Sequence, residues 1–280
     1  QIDGDYLWIR SAMNIVGDPG VPKSEIVVVG GIIFKKGIPG NCHLQHLTLR
    51  QAKGNGVWGQ SSFTMEDVLV EQCTGSGVWA FGTGVVGRCT NVEVRQCEWS
   101  GVLAGDGASI TLIGAKTTVH HNCTKGNSWE YGLTVYGSSS TIQLVSPLTK
   151  EQVSLDNGGG GNWGAVRGGA DLNQIKTIAA VVILANESTS NSNTARDVLQ
   201  TLPTFMQRQI LAFFGYKDYT LTSRACPYLY ALWTEAVEKH RLPLFVPVDC
   251  KTLREAVTKV HKDDRLTTIV LGKGVHRIDS

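Results

Sequence analysis

Apolar and polar residues alternate along this chain in short bursts. In HLTLR (46–50), DVLVE (67–71) and NVEVR (91–95) an apolar side chain recurs at every second position, the period of a strand with one buried face. Each burst continues in the same way, through Gln or Asn, a small residue, and then a glycine followed by an apolar residue. Four segments align on this pattern: HLTLRQAKGNGVWG (46–59), DVLVEQCTGSGVWA (67–80), NVEVRQCEWSGVLA (91–104) and TVHHNCTKGNSWEYGLTV (118–135). A weaker fifth is VSLDNGGGGNWGAV (153–166). The marker glycines Gly56, Gly77, Gly101, Gly132 and Gly164 are spaced by 21 to 32 residues, so the unit repeats but its loops vary in length.

A short, elastic period predicts a right-handed parallel β-helix over residues 1–185, because loops of any length can leave each coil of such a solenoid. Aligned this way, Leu47, Val68 and Val92 form one inward column, and Leu49, Val70, Val94 and Leu155 a second. Gln51, Gln72, Gln96, Asn122 and Asn157 then stack at the next turn. Coils about 4.8 Å apart let such amides hydrogen-bond from rung to rung. Ala52, Cys73, Cys97, Cys123 and Gly158 follow, small enough for an inner corner, with the cysteines as small buried hydrophobes. The outward column reads Arg50, Glu71, Arg95, His121 and Asp156. Its alternating signs suit either a solvated ion-pair ladder or an acid–base cluster. Trp58 and Trp79 stack, with Trp99, Trp129 and Trp163 near the turns, as packing or as a sugar platform. The fourth copy departs from the pattern: His120 is placed inward, so either the strand is shifted by one residue or the imidazole is buried. The loop 124–131 opens there, making HHNCTKGNSWEY, with Glu130, the first place to seek a ligand.

After Ile178 the grammar changes. NESTSNSNTARD (186–197) is polar and reads as a linker, over 186–200. Residues 201–243 carry helical periodicity, with Phe205, Met206, Ile210 and Phe213 on one face and Ser223 to Glu238 as a longer last helix. Residues 244–280 read as a helix, Leu253 to Val260, and two strands, Thr267–Leu271 and Val275–Ile278. This tail would cover and begin a solenoid, with Tyr6–Ile9 and Met13–Val16 as the strands that come next. The expected order is thus circularly permuted, with 267–278 pairing in parallel with 6–16.

Composition narrows the function. Net charge is +2 with 18% charged residues and no basic block, so neither nucleic acid nor an anionic membrane is an expected partner. No apolar run reaches the ~20 residues of a membrane helix. Seven cysteines in no zinc spacing, and no secretory leader, point to reduced thiols and an intracellular (cytoplasmic or nuclear) setting. No metal, cofactor or catalytic residue is assigned. The acids Glu71, Glu93, Glu98, Asp106, Glu130 and Asp156 are spread over different columns.

The segment 202–233 resembles an F-box. The likeness rests on Leu202-Pro203, Ile210-Leu211, Phe213-Phe214, Tyr216-Lys217-Asp218, Leu221, Ser223-Arg224, Cys226, Leu229 and Trp233. The region 1–178 is similar to the repeats of pectate-lyase-like solenoids. The F-box resemblance implies an Skp-type ubiquitin-ligase adaptor as partner, docked by Leu202, Pro203, Ile210, Leu211, Phe213, Phe214 and Tyr219. The solenoid would then bind a protein or glycan on the face bearing Arg50, Glu71, Arg95, His121, Glu130 and Asp156. The alternative is a carbohydrate-active enzyme: a polysaccharide lyase, epimerase or hydrolase.

Overall fold

The computed structural model describes residues 6–179, 243–263 and 266–278. It is mostly β, and every strand pairing among the described residues is parallel. Sheet A has seven strands: Tyr6–Ile9, Gly31–Phe34, Val57–Gly59, Val78–Phe81, Val102–Gly105, Leu133–Tyr136 and Trp163–Val166. Between one strand of sheet A and the next, the chain makes one pass through sheet B, which has fourteen. Neighbouring strands are therefore one sequence repeat apart, as parallel pairing with long crossovers requires.

Sheet B has two halves that meet at a bend. Cys42–Arg50 and Phe63–Glu71 run through both halves. At the bend His46, Asp67 and Asn91 adopt positive φ of 52°, 50° and 51°, a conformation that His, Asp and Asn tolerate better than most residues. The core is the column stack inside the passes. Leu49, Val70, Val94 and Val119 pair in one column and are fully buried. Phe63 is fully buried against Phe34, ring centroids 5.5 Å apart.

Three details differ from what the repeat pattern predicts. Of the two options for the fourth copy, the structure has the one-residue shift: Val119 faces inward and His120 pairs with Arg95. The fifth strand follows it, so Ser154 takes the inward column and Leu155, 44% exposed, pairs with His120. Second, Gly164 is two positions out of the glycine column. It pairs with Thr134, and Asn162 accepts from Leu133 where the column continues. Third, the tail splits between the halves of sheet B. Thr268–Leu271 pairs with Asn14–Gly17 as expected, whereas Gly274–Arg277 pairs with Ile26–Val29. The second strand misses 6–16 because each pass visits sheet B twice, and 6–9 belongs to sheet A.

Leu244–Val246 adds a strand beyond Thr268–Leu271, and the helix Leu253–Lys262 follows it. Thr252 caps the helix, its hydroxyl accepting from Glu255 N at 3.1 Å. This geometry satisfies one of the orphan N–H groups at a helix start. Leu253, Ala256, Val257 and Val260 join the core that the other strands share. Arg10 N also donates to His261 Nε2 at 3.0 Å, tying helix to first strand. Among the described residues no helix is long and apolar enough to cross a membrane. The chain ends and the F-box-like segment, including Leu202, Pro203, Ile210, Leu211, Phe213, Phe214 and Tyr219, lie outside the described residues.

Candidate functional site

The outward column of sheet B forms a continuous ladder of paired charges. Glu71, with its side chain 6% exposed, takes Arg50 on Oε1 at 2.9 Å and Arg95 on Oε2 at 2.8 Å. Arg95 reaches Glu93 at 3.0 Å, and the same Glu93 oxygen lies 3.3 Å from His120 Nε2. The Glu71 hydrogen bond and the two carboxylate charges raise the Arg95 pKa further, against partial burial that lowers it. His121 and Asp156 do not continue this column. They occupy a positive-φ turn position with Gln51, Gln72 and Gln96, and His121 Nδ1 lies 2.8 Å from His120 Nδ1. The expected amide ladder consequently splits in two. Gln72 donates to Gln96 at 3.4 Å on the exposed side, and Asn122 to Asn157 at 3.1 Å one residue further on.

A second polar cluster marks the bend. Asp67 receives Lys23 Nζ on Oδ1 and faces His46 Nδ1 with Oδ2, each at 2.7 Å. Burial pushes the Asp67 carboxyl up, but the hydrogen bonds and charges of Lys23 and His46 outweigh it and hold the group below its ordinary value. A depressed carboxylate stabilises the fold above its unfolded pKa, about 3.9, and loses that contribution as pH falls through the folded value. Asp67→Asn keeps a residue tolerant of positive φ and removes the charge. We expect it to cost about 0.5–1 kcal/mol at pH 6. In urea melts at successive pH values the two proteins should converge below about pH 4; a gap that persists at pH 2.5 would contradict the assignment.

The thiols are chemically quiet. All six cysteines among the described residues are free and buried. Burial pushes Cys42 up to about 11 and Cys89 up to about 12. Cys73 shares a hydrogen bond with Cys97, which together with burial also raises it. Thiols kept protonated at neutral pH are poor nucleophiles.

An aromatic cluster lies on sheet A. Val78, Ala80, Val102 and Ala104 point inward and are fully buried, so strand alternation turns Trp79, Phe81 and Leu103 outward. Trp79 stacks on Trp58 at 5.3 Å and 7°, and meets Phe81 edge-on at 5.3 Å and 78°. Gly105 pairs with both Phe81 and Tyr136. A Cβ there would come 3.2 Å from Trp79 Nε1, so the glycine lets the indole lie against the strand. Trp99 and Trp129, from the turns that lead into the sheet, are 41% and 58% exposed. Together with Trp79, Phe81 and Tyr136 these two rings wall a groove of about 400 Å³.

Glu130, Asp106 and Arg167 supply the groove's charge. Glu130 Oε2 accepts from Ser100 N at 3.0 Å and from the Ser100 hydroxyl, which also meets Thr134 Oγ1 at 2.8 Å. Asp106 and Arg167 follow their strands at φ of 51° and 57°, where the intervening passes use Gly82 and Gly137. Asp tolerates this conformation better than Arg does.

Of the candidates that the sequence singles out and that lie among the described residues, Arg50, Glu71 and Arg95 thus meet in the ladder. His121 and Asp156 stand beside it, and Glu130 lies apart in the groove. Phe81, Tyr136 and Arg167 are not among those candidates. A signal for Phe81 is present, since Val78-Trp79-Ala80-Phe81 alternates and places two aromatics on one face. Arg167 carries none. Among the described residues no group of three or more His, Cys, Asp or Glu side chains is placed to hold a metal ion. No protein-family model, no curated protein and no solved structure matches this chain.

Proposed function

We propose that this chain is a right-handed parallel β-helix working as a non-catalytic recognition module. Its binding surface is the aromatic groove of sheet A, which takes a segment of a protein or a glycan. The F-box-like residues 201–243 dock an Skp-type adaptor. The observation that carries the binding reading is the groove: three tryptophans, a phenylalanine and a tyrosine border one concavity of about 400 Å³, with Trp99 and Trp129 left substantially in solvent. Exposed aromatic clusters of this kind mark interaction surfaces. The paired state of the Arg50–Glu71–Arg95–Glu93 ladder supports recognition over acid–base chemistry on sheet B.

The test is a two-part binding assay. Peptide and glycan arrays probed with the whole chain should yield ligands whose affinity drops at least tenfold on Trp129→Ala and Trp99→Ala, about 1.4 kcal/mol or more, with melting unchanged. Pulldown with an Skp-type adaptor should be lost on Ile210→Asp. Ligands indifferent to both tryptophans, or turnover of a bound glycan, would replace this reading with the enzyme one. An adaptor that binds neither wild type nor variant would remove the F-box assignment alone.

A further inference from the structure

The groove's chemistry selects the charge of what enters it. Aromatic faces are the negative side of the ring quadrupole and attract cations. Trp79 and Phe81 stand at 78° to each other and form a corner, which Trp99, Trp129 and Tyr136 enclose. Two carboxylates, Asp106 and Glu130, face one guanidinium, Arg167. The surplus is negative in a chain whose net charge is +2.

The same sheet already shows the pairing its rings accept. On the first strand, the ammonium of Lys35 lies 3.9 Å from the ring centre of Trp8. Among the described residues no cation lies over Trp79, Trp99 or Trp129. Asp106 adds a second argument. It sits in a positive-φ column where the passes on either side use glycine, it is exposed, and among the described residues its carboxylate makes no hydrogen bond or ion pair. An exposed carboxylate beside the rings and without a structural partner is available to an external cation.

Resting on the groove as the binding surface, we propose that it recognises a methylated lysine in an extended segment of a partner protein. The ammonium is boxed by Trp79, Phe81, Trp99 and Trp129 and neutralised by Asp106 and Glu130. Methylation suits the site because a methylated ammonium is weakly hydrated and presents apolar surface to the rings while keeping its charge. A segment suits it better than a small cation because the groove crosses four strands of sheet A, about 14 Å at ~4.8 Å per step. That length leaves Arg167, on the last strand's turn, to take an acidic side chain of the same segment.

The experiment is a titration of the whole chain, read by tryptophan fluorescence, with four probes. These are a peptide bearing trimethyl-lysine, the same peptide with the neutral carbon isostere of that side chain, choline, and a neutral oligosaccharide. We expect the trimethyl-lysine peptide to bind at least tenfold more tightly than its isostere and than choline. Asp106→Asn, which keeps a residue suited to positive φ, and Glu130→Gln should each reduce that preference several-fold, and Trp129→Ala should abolish it. Equal binding of peptide and isostere would overturn the charge argument, and equal binding of choline would overturn the segment. An oligosaccharide that binds where the peptide fails would sink this inference but leave the groove as the recognition surface. No response to any probe, with no ligand from the arrays, would remove both.

Discussion

Gly77→Val is expected to unfold this protein or to cost about 3 kcal/mol or more. A Cβ on Gly77 would lie 2.7 Å from the carbonyl oxygen of Gly101 and would overlap the Val94 side chain. The same relation holds one pass earlier, where a Cβ on Gly56 would sit 2.7 Å from the Gly77 carbonyl, and one pass later, where Gly101 faces the Gly132 carbonyl at 2.8 Å. Those carbonyls accept the strand-starting bonds of sheet A, Val57 N to Gly77 O at 2.9 Å and Val78 N to Gly101 O at 2.9 Å. The backbone cannot step aside without breaking the ladder. Chemical denaturation of Gly77→Val beside Gly84→Ala checks the claim. Gly84, unlike Gly77, has positive φ, 79°, and open space around it, so it should show only the modest penalty of backbone strain. Comparable losses at both positions would mean that the contact at Gly77 costs no more than backbone strain does.

Glu71→Ala is expected to cost about 2–4 kcal/mol. It removes the one nearly buried acid of the ladder and leaves two guanidinium groups facing each other across a single rung. Breaking a buried pair from one side costs about 3–5 kcal/mol. Because Arg50 and Arg95 retain 35% and 37% side-chain exposure, solvent recovers part of that. The diagnostic is a cycle with Arg95→Met. Once Arg95 is gone, Glu71→Ala should lose at least a third of its cost, and simple additivity would mean the ladder's members act independently. Substitution of Asp156, outside the ladder by one residue, should change stability by less than about 0.5 kcal/mol.

What is legible in the chain follows from how each signal is encoded. Inward columns are written as alternation, and alternation is local; Val70 and Val94 follow from DVLVE and NVEVR without any knowledge of their neighbours. The charged column is legible while the repeats keep strict phase. It fails at His121 and Asp156 because the small residue after the strand sets the apparent register. Cys123 looks like Cys97, yet it is Asn122 that stands level with Cys97, donating through Nδ2 to Val94 O at 3.0 Å and accepting from Cys97 N at 3.1 Å. A side chain that satisfies two backbone groups outweighs a likeness between thiols.

The groove is legible only in pieces. Trp79, Trp99 and Trp129 stand out as residues, but Trp129 is 50 positions from Trp79, and only the stacking of passes sets them around one space. Tyr136 ends the strand into which the Trp129 turn leads, and Arg167 comes from the pass after that. Asp106 reads only as one of several scattered acids, and its place beside the rings is set by neighbours that are not adjacent in the chain.

The amino-acid sequence alone determined the alternating strands of the aligned segments, the helix that starts at Leu253 and the parallel pairing of one tail strand with the opening strands, because each depends on contacts that short-range alternation or capping writes directly. The tertiary structure decided the register of the fourth and fifth passes, the division of the tail between the two halves of sheet B, and the assembly of the groove. Those outcomes depend on which backbone carbonyl a side chain reaches from the next pass, a distance that no local pattern records.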